Sequence, residues 1–99
     1  MLFRSEKIVV VYTTMGQIVG RLIEIVEEDI KIRKPCMMMP HGTGVQFVPL
    51  TYLTTEDTFV ISPNILVFFG AHPVVNEIEK KYLELTSDAG IKIVNSLNG

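Results

Sequence analysis

Between Lys7 and Lys34 the hydrophobic and polar positions repeat with a period that changes twice. Ile8, Val9, Val10, Val11 and Tyr12 form an unbroken β-branched and aromatic run, Thr13-Thr14-Met15-Gly16 interrupts it, and Gln17 to Val26 resumes it with Gly20 inside. Such runs, bounded by a glycine turn, predict two antiparallel strands. Glu27-Glu28-Asp29 then reverses the chain, and Ile30 and Ile32 alternate with Asp29, Lys31 and Arg33. That strict alternation predicts a third strand with one face in a core and one in water. A glycine within a strand weakens it unless the backbone bends or approaches another backbone closely. Gly20 therefore predicts sharp curvature, and the three strands read as the first half of a small, strongly bent β-barrel.

The pattern continues less regularly. Cys36, Met37, Met38 and Met39 extend the third strand to Pro40-His41-Gly42-Thr43-Gly44, whose glycines and proline mark a turn. Val45 to Leu53 reads as a fourth strand with an edge or bulge at Pro49, which lacks a backbone donor. Thr54-Thr55-Glu56-Asp57 is a polar turn. Phe59-Val60-Ile61 and Ile65-Leu66-Val67-Phe68-Phe69 read as two short strands joined by Ser62-Pro63-Asn64, a connector suited to a barrel corner. Pro73 then opens a helix that places Val74, Ile78, Tyr82 and Leu85 on one face and ends by Gly90, with Ile91 to Val94 as a short final strand.

Composition narrows the function classes. At 99 residues the chain is one domain, with a barrel over about 7–70, a helix over about 73–86 and a short tail. Hydrophobic residues make up 47%, yet no apolar run approaches the roughly 20 residues of a membrane span, and the first residues lack a signal-peptide core. A soluble, cytoplasmic protein with no membrane partner is expected. The single cysteine, Cys36, excludes an intramolecular disulfide and fits a reducing compartment. A net charge of -2 offers no global attraction to nucleic acid, so any such binding depends on a local patch.

The pattern Val9-Val10-Val11, Gly16, Gly20-Arg21-Leu22 and Asp29-Ile30-Lys31-Ile32, followed by two short strands joined at a three-residue corner, resembles the Sm and Sm-like family. The resemblance covers roughly Lys7 to Gly70 and is greatest to the short Sm-like proteins of phages, including marine ones. It implies a mainly β fold: a small, bent, five-stranded antiparallel barrel of SH3 type, here with a C-terminal α-helix. Gly16 and Gly20 match the family's first motif, one residue closer together than usual. Ile61-Ser62-Pro63-Asn64 stands where the family carries an arginine and a glycine, and the helix follows the barrel where family members usually place it before. The resemblance also implies a homo-oligomeric ring whose last two strands pair between neighbours, binding single-stranded RNA, or DNA, without catalysis. Unpaired edges on so apolar a set of strands point to the same self-association.

Lys31, Arg33 and Lys34 form the densest basic cluster, able to hold phosphates around a ring or simply to solvate a strand face. The resemblance puts Glu28, Asp29, Ser62 and Asn64 in two turns near the pore, where short polar groups hydrogen-bond base edges, though such residues are also ordinary turn formers. Tyr12, Tyr52 and His41 offer rings for stacking on unpaired bases, with packing as the commoner role. Met37 to Met39 read as gap-filling residues of a core or subunit interface. Cys36 and His41 lie close enough in sequence to suggest a nucleophile and base, but no orienting group or oxyanion site accompanies them. Zinc-ligand spacing and a glycine-rich phosphate loop are both missing, so neither an enzyme nor a cofactor is expected. The alternative function is a phage structural or accessory module that recruits protein through the helix or an open edge, which the acidic balance favours.

Overall fold

The computed structural model describes residues 7–51 and 54–86. Six antiparallel strands and one helix follow in order: β1 Lys7–Thr13, β2 Gly16–Val26, β3 Asp29–His41, β4 Gly44–Pro49, β5 Thr58–Ile61, β6 His72–Pro73 and α1 Asn76–Thr86. A 3-10 turn at Pro63–Ile65 separates β5 from β6. The strands run β4-β3-β2-β1-β6 across the sheet, and β5 pairs with β3. β3 thus serves two partners on one edge: Ile30 to Arg33 face β5, and Cys36 to His41 face β4. The protein is mainly β, with a C-terminal helix.

The switch between partners is a local backbone device. In the β2–β3 ladder the register slips between Val19 and Arg21, which face Cys36 and Arg33, so that Lys34 and Pro35 on β3 stand opposite the single residue Gly20. Lys34 takes a left-handed φ of 53°, and its amide bonds to the Asp57 carbonyl at 2.6 Å. Gly20 lies opposite this bulge, an irregularity of the kind that bends a strand. A second slip, between Leu22 and Glu24, adds twist toward the Glu27-Glu28 turn.

The unbroken apolar run of β1 is explained by burial on both of its faces. Val9 and Val11 join Ile18, Ile30, Ile32 and Ile61 in one core. On the other face Ile8 and Val10 join Val19, Cys36 and Tyr82 in a second core, with Ile78 and Leu83 of α1 and Val74 just before it packed at its edge. Burial pushes the Cys36 thiol up from 9.0 to about 11. Burial, helped by the neighbouring Cys36, likewise pushes the Tyr82 phenol up from 10.0 to about 12. Both acids are neutral in the folded chain and return to ordinary values on unfolding. Their contribution is therefore fully present below about pH 9 and is lost as pH rises toward 12. Urea midpoints are expected to stay flat on this account up to pH 9 and then fall, with Cys36→Ala delaying the onset by removing the lower of the two titrations.

Three expectations need correction. The fourth strand ends at Pro49, its last paired residue, so the proline terminates the strand instead of interrupting it; Tyr52 and Leu53 lie outside the described residues. Ile65 to Phe69 is not a strand. Ile65 closes the 3-10 turn, Leu66 makes an isolated bridge to Thr13, and Val67 to Phe69 bend away with their side chains exposed. This stretch still bonds to β1, through the Thr14 amide to the Ile65 carbonyl and the Val67 amide to the Tyr12 carbonyl, each 2.8 Å. The helix begins at Asn76, after His72 and Pro73 pair with Val10 and Val9. A proline donates no hydrogen bond, so it fits this short edge strand. Leu85 points to solvent, and Thr86 continues the buried row through Ile78 and Tyr82. The terminator at Gly90 and the strand at Ile91 to Val94 fall outside the described residues.

Candidate nucleic-acid interface

The β2–β3 turn consists of Glu27 and Glu28, both left-handed at φ 51° and 75°, between the paired residues Val26 and Asp29. Two-residue hairpin loops favour this geometry because its twist matches that of the strands, but asparagine and glycine normally supply it. The pairing of Ile30 with Ile61 sets the next residues, Asp29 and Ser62, at the same end of the sheet. Ser62 caps the 3-10 turn, its hydroxyl accepting from the Asn64 amide at 3.2 Å. Glu28, Asp29, Ser62 and Asn64, separated by more than thirty positions at the extremes, thus belong to neighbouring turns at one end of β3 and β5.

The basic residues divide between two places. Lys31 and Arg33 project from the face of β3 opposite Ile30 and Ile32. Lys31 is half-exposed, faces Val60 on β5 and lies 3.8 Å from Glu24, so it stands near the turns. Arg33 and Lys34 instead belong to the bulge beneath the C-terminus of α1. The Lys34 Nζ donates to the Thr86 carbonyl at 3.1 Å, and the Arg21 Nη2 donates to the Thr86 hydroxyl at 3.4 Å. Arg21 also places its guanidinium carbon 5.8 Å from the Tyr82 ring centre. Cations here complement the negative end of the helix. Arg21 has no sequence signal for this role, because its partners lie more than sixty positions away.

The rings are similarly dispersed. Tyr12 meets Phe68 and His72 edge-on, with centroids 5.4 and 5.7 Å away. His41 is exposed at the far end of β3, and Tyr52 lies outside the described residues. Cys36 is buried and its thiol faces the Lys34 carbonyl at 3.9 Å. Five strand residues span roughly 16 Å and reverse the side-chain direction, so Cys36 and His41 do not meet.

A feature absent from the sequence reading lies beside the acidic turn. Ile25, Glu28, Ile30, Phe69 and Gly70 line a cavity of about 240 Å³ that opens to solvent. Phe69 is 74% exposed, the most exposed large apolar side chain among the described residues. Gly70, which follows it, is left-handed at φ 85°.

No family model and no curated protein matches this chain. Among the described residues no helix is long and apolar enough to cross a membrane.

Proposed function

We propose that the chain is an Sm-like, SH3-type barrel that assembles into a homo-oligomeric ring and binds single-stranded RNA, or DNA, without catalysis. The single observation that carries this reading is a pair of open backbone edges with apolar flanks. Among the described residues β5 pairs only with β3, and its outward Val60 is 61% exposed. Among the described residues the stretch after the 3-10 turn pairs only with β1 and exposes Val67 and Phe68. The amides of Ile65, Leu66 and Val67 are already bonded within the chain, so these edges are satisfied when one copy's β5 pairs with the next copy's chain just beyond Val67, a heterologous contact that closes into a ring. The linkage of β5 to β3 and of the following residues to β1 supports a barrel, since it joins both ends of the β1-β2-β3 ribbon. A ring would gather the Glu28, Asp29, Ser62 and Asn64 turns around one opening, with Lys31 from each copy behind them.

Native mass spectrometry with a short single-stranded RNA tests this directly. The expected result is one closed oligomer taking up RNA at a fixed ratio; a monomer overturns the ring, and an oligomer that ignores RNA and DNA overturns the ligand. Val60→Glu places a carboxylate opposite Lys31, which the fold accommodates, while charging the edge, so it is expected to yield a folded monomer. Neutralising Lys31, Arg33 and Lys34 is expected to weaken RNA binding and flatten its salt dependence. The division of the basic residues makes Lys31→Gln the more telling single change: it reduces the salt slope at unchanged stability, whereas Lys34→Gln loses the bond to Thr86 and lowers stability.

One observation favours the rival reading, a phage structural or accessory module that recruits protein. Lys34 holds the helix end and Lys31 approaches Glu24, which leaves the face less able to attract phosphates. Retention of the oligomer with no nucleic-acid binding in the same experiment would favour that alternative.

A further inference from the structure

We infer that the cavity between the acidic turn and Phe69 is a single-base pocket selective for guanine, an inference that rests on the nucleic-acid reading above. Its volume of about 240 Å³ is smaller than that of pockets for drug-sized ligands and suits one planar heterocycle. Ile25 and the exposed Phe69 supply apolar and aromatic walls above the buried Ile30, and a ring such as Phe69 stacks on any base. Glu28 is the one ionisable side chain among the lining residues. A carboxylate only accepts hydrogen bonds, through two oxygens side by side. Guanine offers two adjacent donors on its Watson–Crick edge, N1–H and the exocyclic amino group, which match such a pair. Adenine and cytosine each present one amino group next to an unprotonated ring nitrogen that repels the carboxylate. Uracil presents one N–H between two carbonyls. The pocket therefore ranks guanine first and uracil last, through differential hydrogen bonding on a shared stacking surface.

Fluorescence anisotropy with labelled five-nucleotide RNAs tests the ranking. Four strands have uridines flanking a central G, A, C or U, and a fifth carries central inosine, which keeps N1–H and lacks the amino group. The wild-type protein is expected to bind the G strand about tenfold more tightly than the A, C and U strands, with inosine between. Glu28→Gly deletes the carboxylate while relieving the left-handed backbone, so the fold is retained. This variant is expected to bind all five strands within about twofold. Phe69→Ala is expected to weaken every strand by roughly tenfold and preserve the ranking among them.

Equal binding of all strands by the wild type, or a guanine preference that survives Glu28→Gly, overturns the pocket while leaving nucleic-acid binding standing. Loss of the oligomer on Phe69→Ala, read by native mass spectrometry of the same sample, overturns it too, because the cavity then belongs to the contact between copies. Failure of every strand to bind overturns the nucleic-acid reading itself.

Discussion

Tyr82→Ala is expected to destabilise the protein by about 4 kcal/mol, a large share of the total stability of a domain this size. The side chain is fully buried in the core beneath α1, where its ring meets Phe47 edge-on at 6.3 Å and carries the Arg21 guanidinium on its face. Removing it deletes the largest fully buried side chain among the described residues and opens a cavity that Ile8, Val10 and Cys36 cannot collapse into. The hydroxyl has a separate task. It reaches the Arg33 carbonyl at 3.2 Å and the Lys34 carbonyl at 2.7 Å, both at the bulge where β3 changes partner. Tyr82→Phe keeps the ring and removes the helix's hydrogen bonds to those carbonyls, for a loss of about 1–2 kcal/mol. Urea denaturation of the two variants separates packing from bulge anchoring. A loss below about 1 kcal/mol for Tyr82→Ala would show that α1 only rests on the sheet and does not form part of the core.

The parts of the fold that were legible in the sequence are those with a local cause. Alternation from Asp29 to Arg33 marked one buried and one wet face of β3, and Ile30 and Ile32 are fully buried. The run Ile8 to Tyr12 announced a strand, though not that α1 would cover its second face, because a continuous apolar run does not say what lies on either side. Ile65 to Phe69 misled for the same reason. Its composition suits a strand, but β1 offers it pairing only around Leu66, and the side chains beyond remain in solvent. Pro73 carries two compatible meanings, helix start and edge strand, and the pairing of Val9 chose the second.

The candidate site was legible by position only. Proximity of the Glu28 and Ser62 turns follows from the β3–β5 register, which the sequence does not print. Lys31, Arg33 and Lys34 read as one cluster because they are neighbours in sequence. The bulge at Lys34-Pro35 breaks the alternation, turning Lys34 toward a helix whose end is fifty-two positions away. No motif marks Phe69 in the sequence; only the fold sets it on the same cavity as Glu28.

Gly20→Ala is expected to cost about 3 kcal/mol and to unbend the sheet where β3 divides. Gly20 has no left-handed backbone to protect, so the reason for glycine is space. A methyl group built there collides with the Ile32 Cγ2, and it also comes within 3.3 Å of the Arg33 carbonyl oxygen and 3.4 Å of the Pro35 Cα. Ile32 belongs to the fully buried core and two of the three contacts are backbone, so none of them yields as an exposed side chain would. Relief requires β2 to withdraw from the bulge, which loosens the pairing of Arg21 with Arg33 and, through it, the seat of the helix end on Arg21 and Lys34. Gly42 provides the internal control. It is left-handed at φ 62° with nothing within 4 Å of an added Cβ, so Gly42→Ala pays only the backbone term of about 1 kcal/mol. Urea midpoints for both variants decide the matter: a much larger loss at Gly20 identifies close approach as the origin of the bend, whereas equal losses would place that origin in the bulge on β3 alone.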